Sequence, residues 1–420
     1  MTLQPQRTVA ELKELRALTG DEHGAQRVCW TDTWLTARAW LRGLIEQVPG
    51  VAYDVDEAGN AWATLPGASD RAVLIGGHID SVPNGGWLDG CLNLVAGLEV
   101  LRRLAGEAAA MGTPPPVTIQ LVDWADEEGA RFGRSLLGSV AAAGQLDPDL
   151  IRGLTDKEGV RLDEALARCG VDVDRMAEAQ RRLDRAAAYL ELHIEQGPVL
   201  ETMGLPLGAV LGTVGVERNA IRFTGQAAHS GSTPMDMRRD AFAAAAKLGL
   251  EIRDIARRHG GVCTMGSVVT RPGIVTAVVG ECDVTLDQRN LDASTLAAML
   301  ADARAASERF AAEEKVEVAW TPTWSIPPIL FDPHLIDLCD EAVREVAGGR
   351  SHRLPSGPLH DAASVAQAGV PTVMLFVQSL RGLSHNPAED TREEHLELCV
   401  EALDRLADKT VAWVAGGDGR

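Results

Sequence analysis

Apolar runs and amphipathic segments alternate along the first half of the chain. The stretch "RAVLIGG" is a continuous apolar run of strand length, and "PVTIQLVDWA" and "AAYLELHI" repeat this pattern further on. Between such runs, apolar residues recur at helical spacing, as in "TWLTARAWLRGLIEQ" and "CLNLVAGLEVLRRLAGEAA". Continuous apolar strands separated by amphipathic helices are typical of a mostly parallel sheet that is covered on both faces. The pattern therefore predicts an α/β domain.

The pattern changes near Gly212, where β-branched residues become frequent. The segments "GVERNAIRFTG", "VCTMGSVVTRP", "GIVTAVVG" and "CDVTLDQRN" are strand-like, and we predict two long helices between them, at 238–258 and 294–313. Near Trp324 the alternation of helix, strand and helix returns. The sequence thus predicts an α/β domain of residues 1–211 and 324–420. It is interrupted by an inserted α+β domain of residues 212–323, an antiparallel sheet with two helices.

The highly charged stretch from Asp147 to Arg185 is interpreted as helical, with a solvated face. Seven cysteines are scattered along the chain without C-x-x-C spacing, and we interpret them as buried free thiols.

The composition limits the kinds of molecule that the chain is expected to bind. The chain has 60 acidic and 40 basic residues and a net charge of -20, so it repels nucleic acid and anionic membranes. No apolar stretch approaches the length of a membrane helix, and the N-terminal segment has no apolar signal core. These observations predict a cytoplasmic protein that binds neither nucleic acid nor membranes. A small anionic substrate would need a local positive site.

Histidines and carboxylates follow the carboxyl ends of four predicted strands, which is where open α/β sheets place their sites. They are His78, Asp80 and Asp89 after the first strand, Glu127 and Glu128 after the second, His193 at the end of the third, and His385 beyond the fourth. Three imidazoles and two or three carboxylates can hold two divalent ions if one carboxylate bridges. Nitrogen and oxygen ligands suit Zn, Mn, Co or Ni.

Glu127 and Glu128 are adjacent, so their side chains point in different directions. One of them can bind metal while the other acts as a general base toward a bound water. The pattern alone therefore predicts a two-metal hydrolase that attacks a carbonyl group.

Five motifs, in order along nearly the whole chain, resemble those of a known family. They are "GGHIDSVPNGGWLDG", "DEEGARFG", "LHIEQGPVLE", "GQAAHSGSTPMDMRRDA" and "GLSHNPAED". The chain is similar to the aminoacylase and carboxypeptidase G group of dinuclear metallohydrolases. Within this group it resembles the amidase branch, which contains N-carbamoyl-L-amino acid hydrolases, β-ureidopropionases and allantoate amidohydrolases.

The resemblance implies a role for each metal-site residue. His78, Asp89 and His193 would hold one ion, and Asp89 would bridge to a second ion held also by Glu128 and His385. Asp80 would fix the tautomer of His78, and Glu127 would be the general base.

The resemblance also implies substrate contacts and an assembly. The inserted domain would be a lid and would form a homodimer. His229 would come from this lid, across the dimer, and stabilise the oxyanion. Arg289 would bind the substrate carboxylate, and Gln196 the ureido or amide end. Thr276 stands where the branch commonly has a substrate-binding Asn, and His360 is a further candidate contact.

Several positions depart from the usual pattern of the branch, which predicts an altered substrate pocket. They are Trp87, Leu88, Asn93, Thr276, Pro358 and Leu359.

The leading hypothesis is metal-dependent hydrolysis of the linear C–N amide bond of N-carbamoyl amino acids or similar ureido acids. Allantoate amidohydrolase and an aminoacylase-like deacylase are the enzymatic alternatives. The non-enzyme alternative is a binding protein of the same fold without catalysis; the presence of all five candidate ligands and Glu127 argues against it.

Overall fold

The computed structural model describes residues 2–417 as an α/β protein with one large mixed sheet and a separate antiparallel sheet. The α-helices are α1 (Pro5–Thr19), α2 (Asp32–Ile45), α3 (Cys91–Met111), α4 (Leu137–Ala142), α5 (Leu162–Arg168), α6 (Val199–Met203), α7 (Ala241–His259), α8 (Ala293–Glu313), α9 (Pro333–Val346), α10 (Asp361–Gln367) and α11 (Glu393–Ala415). The strands are β1 (Gly20–Asp21), β2 (Gly24–Ala25), β3 (Ala52–Val55), β4 (Ala61–Leu65), β5 (Ala72–Gly77), β6 (Thr118–Asp123), β7 (Ala186–Ile194), β8 (Leu207–Thr213), β9 (Gly215–Thr224), β10 (Ala228–His229), β11 (Val262–Thr264), β12 (Val268–Arg271), β13 (Ala277–Val278), β14 (Glu281–Asn290), β15 (Glu317–Ile326), β16 (Ile329–Leu330), β17 (Arg353–Ser356) and β18 (Thr372–Val377).

Contacts divide the chain into two compact units. The first unit comprises Met1–Leu211 and Phe331–Arg420, and the second comprises Gly212–Leu330. The second unit extends beyond residue 323, where the sequence places the end of the inserted domain, and Thr323 lies inside β15, which pairs along β9. An antiparallel strand cannot be divided between two domains without breaking its ladder.

The large sheet has the strand order β16-β8-β18-β7-β5-β6-β4-β3, with β17 paired to β8. Its centre is parallel, because β18 and β5 both run parallel to β7, and β6 runs parallel to β5. Every residue of β5, β7 and β18 is buried. This burial explains why the three strands read as continuous apolar runs, and the predicted fold class is confirmed.

The second unit is built on the antiparallel sheet β11-β14-β9-β15, in which β12 also pairs with β14. Alternate residues of β14, among them Cys282, Val284 and Leu286, are buried in a small core with residues of α7 and α8. The α7 N-terminus is capped by Asp240, whose side chain accepts hydrogen bonds from the backbone N–H groups of Phe242 and Ala243.

Two further expectations from the sequence differ from the structure. Residues 147–185 form only the short helix α5 and two 3-10 turns, at Pro148–Leu150 and Met176–Leu183, so the predicted helical stretch is wrong. Many of its charged groups bond locally, as Asp156 does to the N–H groups of Glu158 and Val160. Such bonds compete with helix formation. In the segment "GIVTAVVG" only Ala277–Val278 is strand.

None of the helices found between residues 2 and 417 has both the length and the apolar character that crossing a bilayer requires. The seven cysteines lie within the described residues and are all free thiols, five of them buried.

Candidate metal centre

The candidate ligands follow strands of the large sheet whose carboxyl ends share one edge. His78 comes directly after β5, and Glu128 lies in the turn that follows β6. His193 is the penultimate residue of β7, and His385 belongs to the segment after β18. Because β5, β6, β7 and β18 are parallel neighbours, these side chains converge at one edge, as the sequence predicts.

One group of potential ligand atoms comes from His78, Asp89 and His193, all within 4.8 Å of one another. Asp89 Oδ1 lies 3.1 Å from His193 Nε2 and 3.7 Å from His78 Nε2. Both imidazoles donate their Nδ1–H to a main-chain oxygen, His78 to that of Asp80 at 3.1 Å and His193 to that of Ile194 at 2.8 Å. These bonds fix the tautomer that presents Nε2 to the carboxylate.

A second group consists of Asp89, Glu128 and His385, again with ligand atoms within 4.8 Å. His385 Nε2 lies 3.2 Å from Glu128 Oε2 and 3.5 Å from Asp89 Oδ2. Asp89 therefore faces the first group with Oδ1 and the second group with Oδ2. This is the arrangement that a bridging carboxylate requires.

The chemistry of the donors fits divalent cations. His78 Nε2 and Glu128 Oε1 are buried without a hydrogen-bond partner. Burial raises the pKa of Glu127 and of Glu128 well above the usual value of a glutamate, and neighbouring carboxylates add to the rise. A cation between them would favour the ionised carboxylates. Imidazole nitrogen with carboxylate oxygen suits Zn, Mn, Co or Ni, so the two groups are compatible with a metal site.

Glu127 borders the first group without belonging to either. Its Oε2 lies 3.7 Å from His78 Nε2, and the residue is 7% exposed. Adjacent Glu128 points into the second group, so the two side chains diverge as the sequence predicts. This position suits a carboxylate that exchanges a proton with a group beside the metal centre.

Asp80 contacts His78 in its own loop and the two glutamates in the turn after β6. Its main-chain oxygen is the nearest acceptor to His78 Nδ1, whereas its Oδ1 is 3.5 Å away. The carboxylate itself accepts hydrogen bonds from the N–H groups of Glu127 and Glu128, at 3.4 and 3.2 Å. Asp80 thus orients the two glutamates as well as the histidine, a role that sequence reasoning missed.

The side chain of Gln196 forms hydrogen bonds beside the candidate ligands. Its Nε2 donates to Asp89 Oδ2 at 2.9 Å and to Ser384 Oγ at 3.0 Å. Ser384 Oγ in turn donates to Asp89 Oδ2 at 2.7 Å. Both donors stabilise the ionised form of Asp89. Burial works against ionisation, but neighbouring groups, among them His193 and Ser384, hold the pKa of Asp89 below its usual value. A contact between Gln196 and substrate stays a prediction.

His360 is buried beside the centre. Its ring lies 4.4 Å from that of His193, measured between centroids, and its Nε2 is 3.0 Å from Ser356 Oγ. Burial lowers the pKa of His360 well below the usual value of a histidine. It packs against a candidate ligand as a neutral ring, and a contact with substrate stays a prediction.

Three candidate substrate residues lie in the second unit. His229 is exposed on β10, which pairs with β13, and its Nδ1 accepts a hydrogen bond from the Gly231 N–H. Thr276 lies just before β13, and its main-chain oxygen accepts from the Ser230 N–H at 2.9 Å. The antiparallel pairing of β10 with β13 therefore holds His229 and Thr276 close together.

Arg289, at the end of β14, is paired within its own strand. Its Nε donates to Asp287 Oδ1 at 2.8 Å, and its Nη2 to Asp287 Oδ2 at 3.3 Å. Asp287 also accepts from Arg218 Nε at 2.7 Å. The guanidinium of Arg289 is thus oriented by a carboxylate, and its contact with substrate stays a prediction.

Comparison with known proteins gives a consistent result. The family model described as peptidase family M20/M25/M40 matches residues 74–409. The chain is 35% identical to an N-carbamoyl-L-amino acid amidohydrolase of Geobacillus stearothermophilus, covering 90% of this chain and 92% of that protein. It is 32% identical to an allantoate amidohydrolase of Escherichia coli, covering 90% of this chain and 91% of that protein.

Among solved structures, the chain is similar to an amidase of the hydantoinase/carbamoylase family from Burkholderia multivorans. The TM-score is 0.86 with 31% sequence identity, and the alignment covers 96% of this chain and 97% of that chain. The similarity therefore spans both units.

Proposed function

This chain belongs to peptidase family M20/M25/M40 and is a hydrolase of carbon–nitrogen bonds in linear amides, and we propose that its substrates are N-carbamoyl amino acids or related ureido acids. The observation that carries this proposal is Asp89, whose two oxygens face two separate groups of ligand atoms. The names of the matched amidohydrolases support the substrate class.

We assign the metal ligands from these two groups. His78, Asp89 and His193 would hold one ion, and Asp89, Glu128 and His385 a second. Bound divalent ions would supply positive charge that polarises the carbonyl and makes water a better nucleophile at neutral pH.

Glu127 would accept the proton of the attacking water and deliver it to the leaving nitrogen. Its burial beside His78 keeps bulk water from competing for that proton. A carbamoyl substrate would then yield the amino acid, carbon dioxide and ammonia.

The remaining roles concern substrate and assembly. Arg289, oriented by Asp287, would bind the carboxylate of the substrate through charge-assisted hydrogen bonds. Thr276, Gln196 and His360 are proposed as further substrate contacts. His229 would stabilise the oxyanion from the partner chain of a homodimer formed through the second unit. We propose that this enzyme works in the cytoplasm.

Allantoate is a second candidate substrate, because the match to the Escherichia coli allantoate amidohydrolase covers as much of this chain as the match to the carbamoyl amino acid enzyme. Ammonia release from carbamoyl amino acids, allantoate and acetyl amino acids as non-ureido controls, with Mn, Co, Ni and Zn compared, tests the proposal. Hydrolysis of the ureido compounds is expected. Deacylation of acetyl amino acids, measured as released amino acid, without ureido hydrolysis would contradict it.

A further inference from the structure

The loop that carries Asp89 is held by one buried side chain from a distant part of the chain. We name residues 86–90 the Asp89 loop and residues 384–390 the His385 segment. Glu389 is 2% exposed, and its Oε1 accepts two hydrogen bonds, from the N–H of Leu88 at 3.0 Å and from the N–H of Asp89 at 3.1 Å. A carboxylate that accepts two amide protons at once restrains the backbone on both sides of a peptide bond.

Gly86 leaves the space in the Asp89 loop that the Glu389 carboxylate occupies. A Cβ at Gly86 would lie 2.0 Å from Glu389 Cδ, closer than atoms can approach without displacement. Gly86 does not have a φ in the left-handed region, so its lack of a side chain is explained by this close approach and not by backbone conformation. The position of the Glu389 carboxylate therefore depends on the absence of a side chain at Gly86.

Two further contacts join the same segments. Ser384 Oγ donates to Asp89 Oδ2 at 2.7 Å, and Trp87 Nε1 donates to Asp390 Oδ1 at 3.2 Å. The His385 segment thus contacts the Asp89 loop from both of its ends, through Ser384 at one end and through Glu389 and Asp390 at the other. Since one segment carries Asp89 and the other carries His385, their mutual fixation sets the distance between two candidate ligands.

We infer that Glu389 is a positioning residue that fixes the Asp89 loop, so that the two carboxylate oxygens of Asp89 are presented to both metal sites. The inference rests on the proposed function, in which Asp89 is the bridging ligand. Groups that orient metal ligands typically change metal affinity about 10- to 100-fold when they are removed. We therefore expect a measurable loss of affinity without loss of any ligand.

The test uses the full chain, freed of metal and titrated with Co²⁺, whose visible spectrum reports ligand geometry. Glu389→Ala is expected to weaken Co²⁺ binding at least about tenfold and to change the spectrum. Glu389→Gln is expected to restore binding to near the wild-type value, because both hydrogen bonds converge on a single oxygen that glutamine also has. Gly86→Ala, which displaces the carboxylate sterically, is expected to reproduce the effect of Glu389→Ala.

Two control variants separate positioning from general stability. Glu99 is a buried carboxylate that also accepts a backbone N–H, that of Gln4, but it pairs with Arg7 and is no candidate ligand. Glu99→Ala is expected to lower the melting temperature of the metal-free protein and to leave Co²⁺ affinity unchanged. Gly43→Ala, where an added Cβ meets no atom within 4 Å, is the matched control for Gly86→Ala.

Wild-type Co²⁺ affinity in the Glu389→Ala variant, with only a lowered melting temperature as in Glu99→Ala, would overturn the inference. If Glu389→Ala does not fold, the same Co²⁺ titration of Gly86→Ala decides. A wild-type protein that binds no Co²⁺ would instead overturn the proposed metal centre, so the two failures are distinguishable.

Discussion

In the first unit the candidate ligands His78, Asp89 and His193 are at most 2% exposed, and each is bonded to a further group that fixes its direction. In the second unit His229 and Thr276 lie exposed beside a short strand pair, and Arg289 is partly exposed and bonded to Asp287. Of the other two candidate ligands in the first unit, Glu128 is half-buried and His385 has a side chain that is 50% exposed.

This difference indicates that the first unit is suited to metal binding and the second unit to contacts with a substrate or a partner chain. Buried donors with fixed directions suit an ion that tolerates little error in ligand position. Exposed groups on short elements suit contacts that form when a substrate or a partner chain arrives. Changes at the candidate ligands of the first unit should therefore lower metal content, whereas changes in the second unit should leave metal content unchanged and act on substrate binding or on turnover.

The largest effect is expected for Asp89→Ala. The variant should lose both metal ions, because each of the two ligand groups uses one oxygen of Asp89. Metal analysis of the purified protein measures this, with His385→Ala as the control that should lower one site only. Full occupancy of both sites without Asp89 would remove its bridging role.

Glu127→Gln should lower turnover by at least about 10²-fold, in line with the usual contribution of a general base. Glutamine keeps the size of the side chain but cannot accept the proton of water. Metal content should remain at the wild-type level, which distinguishes this variant from Asp89→Ala. Near-normal turnover would exclude Glu127 as the base.

His229→Ala tests whether the second unit serves a partner chain. Mixed dimers of inactive Glu127→Gln and inactive His229→Ala chains should regain activity, because one of their two sites would contain both groups. Mixed assembly is verified with two affinity tags. A verified mixed dimer that stays inactive would show that His229 does not act across chains.

Arg289→Lys should raise KM for carbamoyl amino acids about tenfold, the loss expected for a charged hydrogen bond, with unchanged metal content. Lysine keeps the charge but cannot reproduce the planar fork. The corresponding amides, which lack the carboxylate, should be poor substrates of both proteins. Equal hydrolysis of acid and amide by the wild type would exclude a carboxylate anchor.

The smallest effect is expected for the helix cap of the second unit. Asp240→Ala removes the side chain that caps α7 and should cost about 1 kcal/mol of stability. Co²⁺ affinity should not change, because no candidate ligand lies in that unit. Asp332→Ala, which removes the equivalent cap of α9 in the first unit, is the matched variant. If Asp240→Ala lost Co²⁺ affinity and Asp332→Ala did not, the second unit would contribute to metal binding, which would contradict the proposed difference between the units.

The sequence predicts the parallel centre of the fold because β5, β7 and β18 are buried on both faces and therefore apolar throughout. It predicts the candidate ligands because parallel strands end at one edge. It does not predict β15, which is mostly exposed, contains Pro322 and has a register shift after it. Its side chains do not carry the pattern of a buried strand.

The contacts that orient the site are harder to predict than the ligands. Glu389 and Asp89 are 300 residues apart, and Ser384 and Asp89 are 295 residues apart. A single sequence contains no local signal for a bond of this kind. The same applies to Asp287, since an acidic residue two positions before an arginine in a strand is also common on solvated surfaces.

The strand order also determines how late in synthesis the large sheet can be completed. During synthesis β7 and β8 emerge before the second unit, but β18, which lies between them in the sheet, emerges after it. A nascent chain that ends before residue 372 leaves both strands with an unpaired edge, and such edges favour aggregation. His385 follows β18, so nearly the whole chain must leave the ribosome before the complete set of candidate ligands can come together.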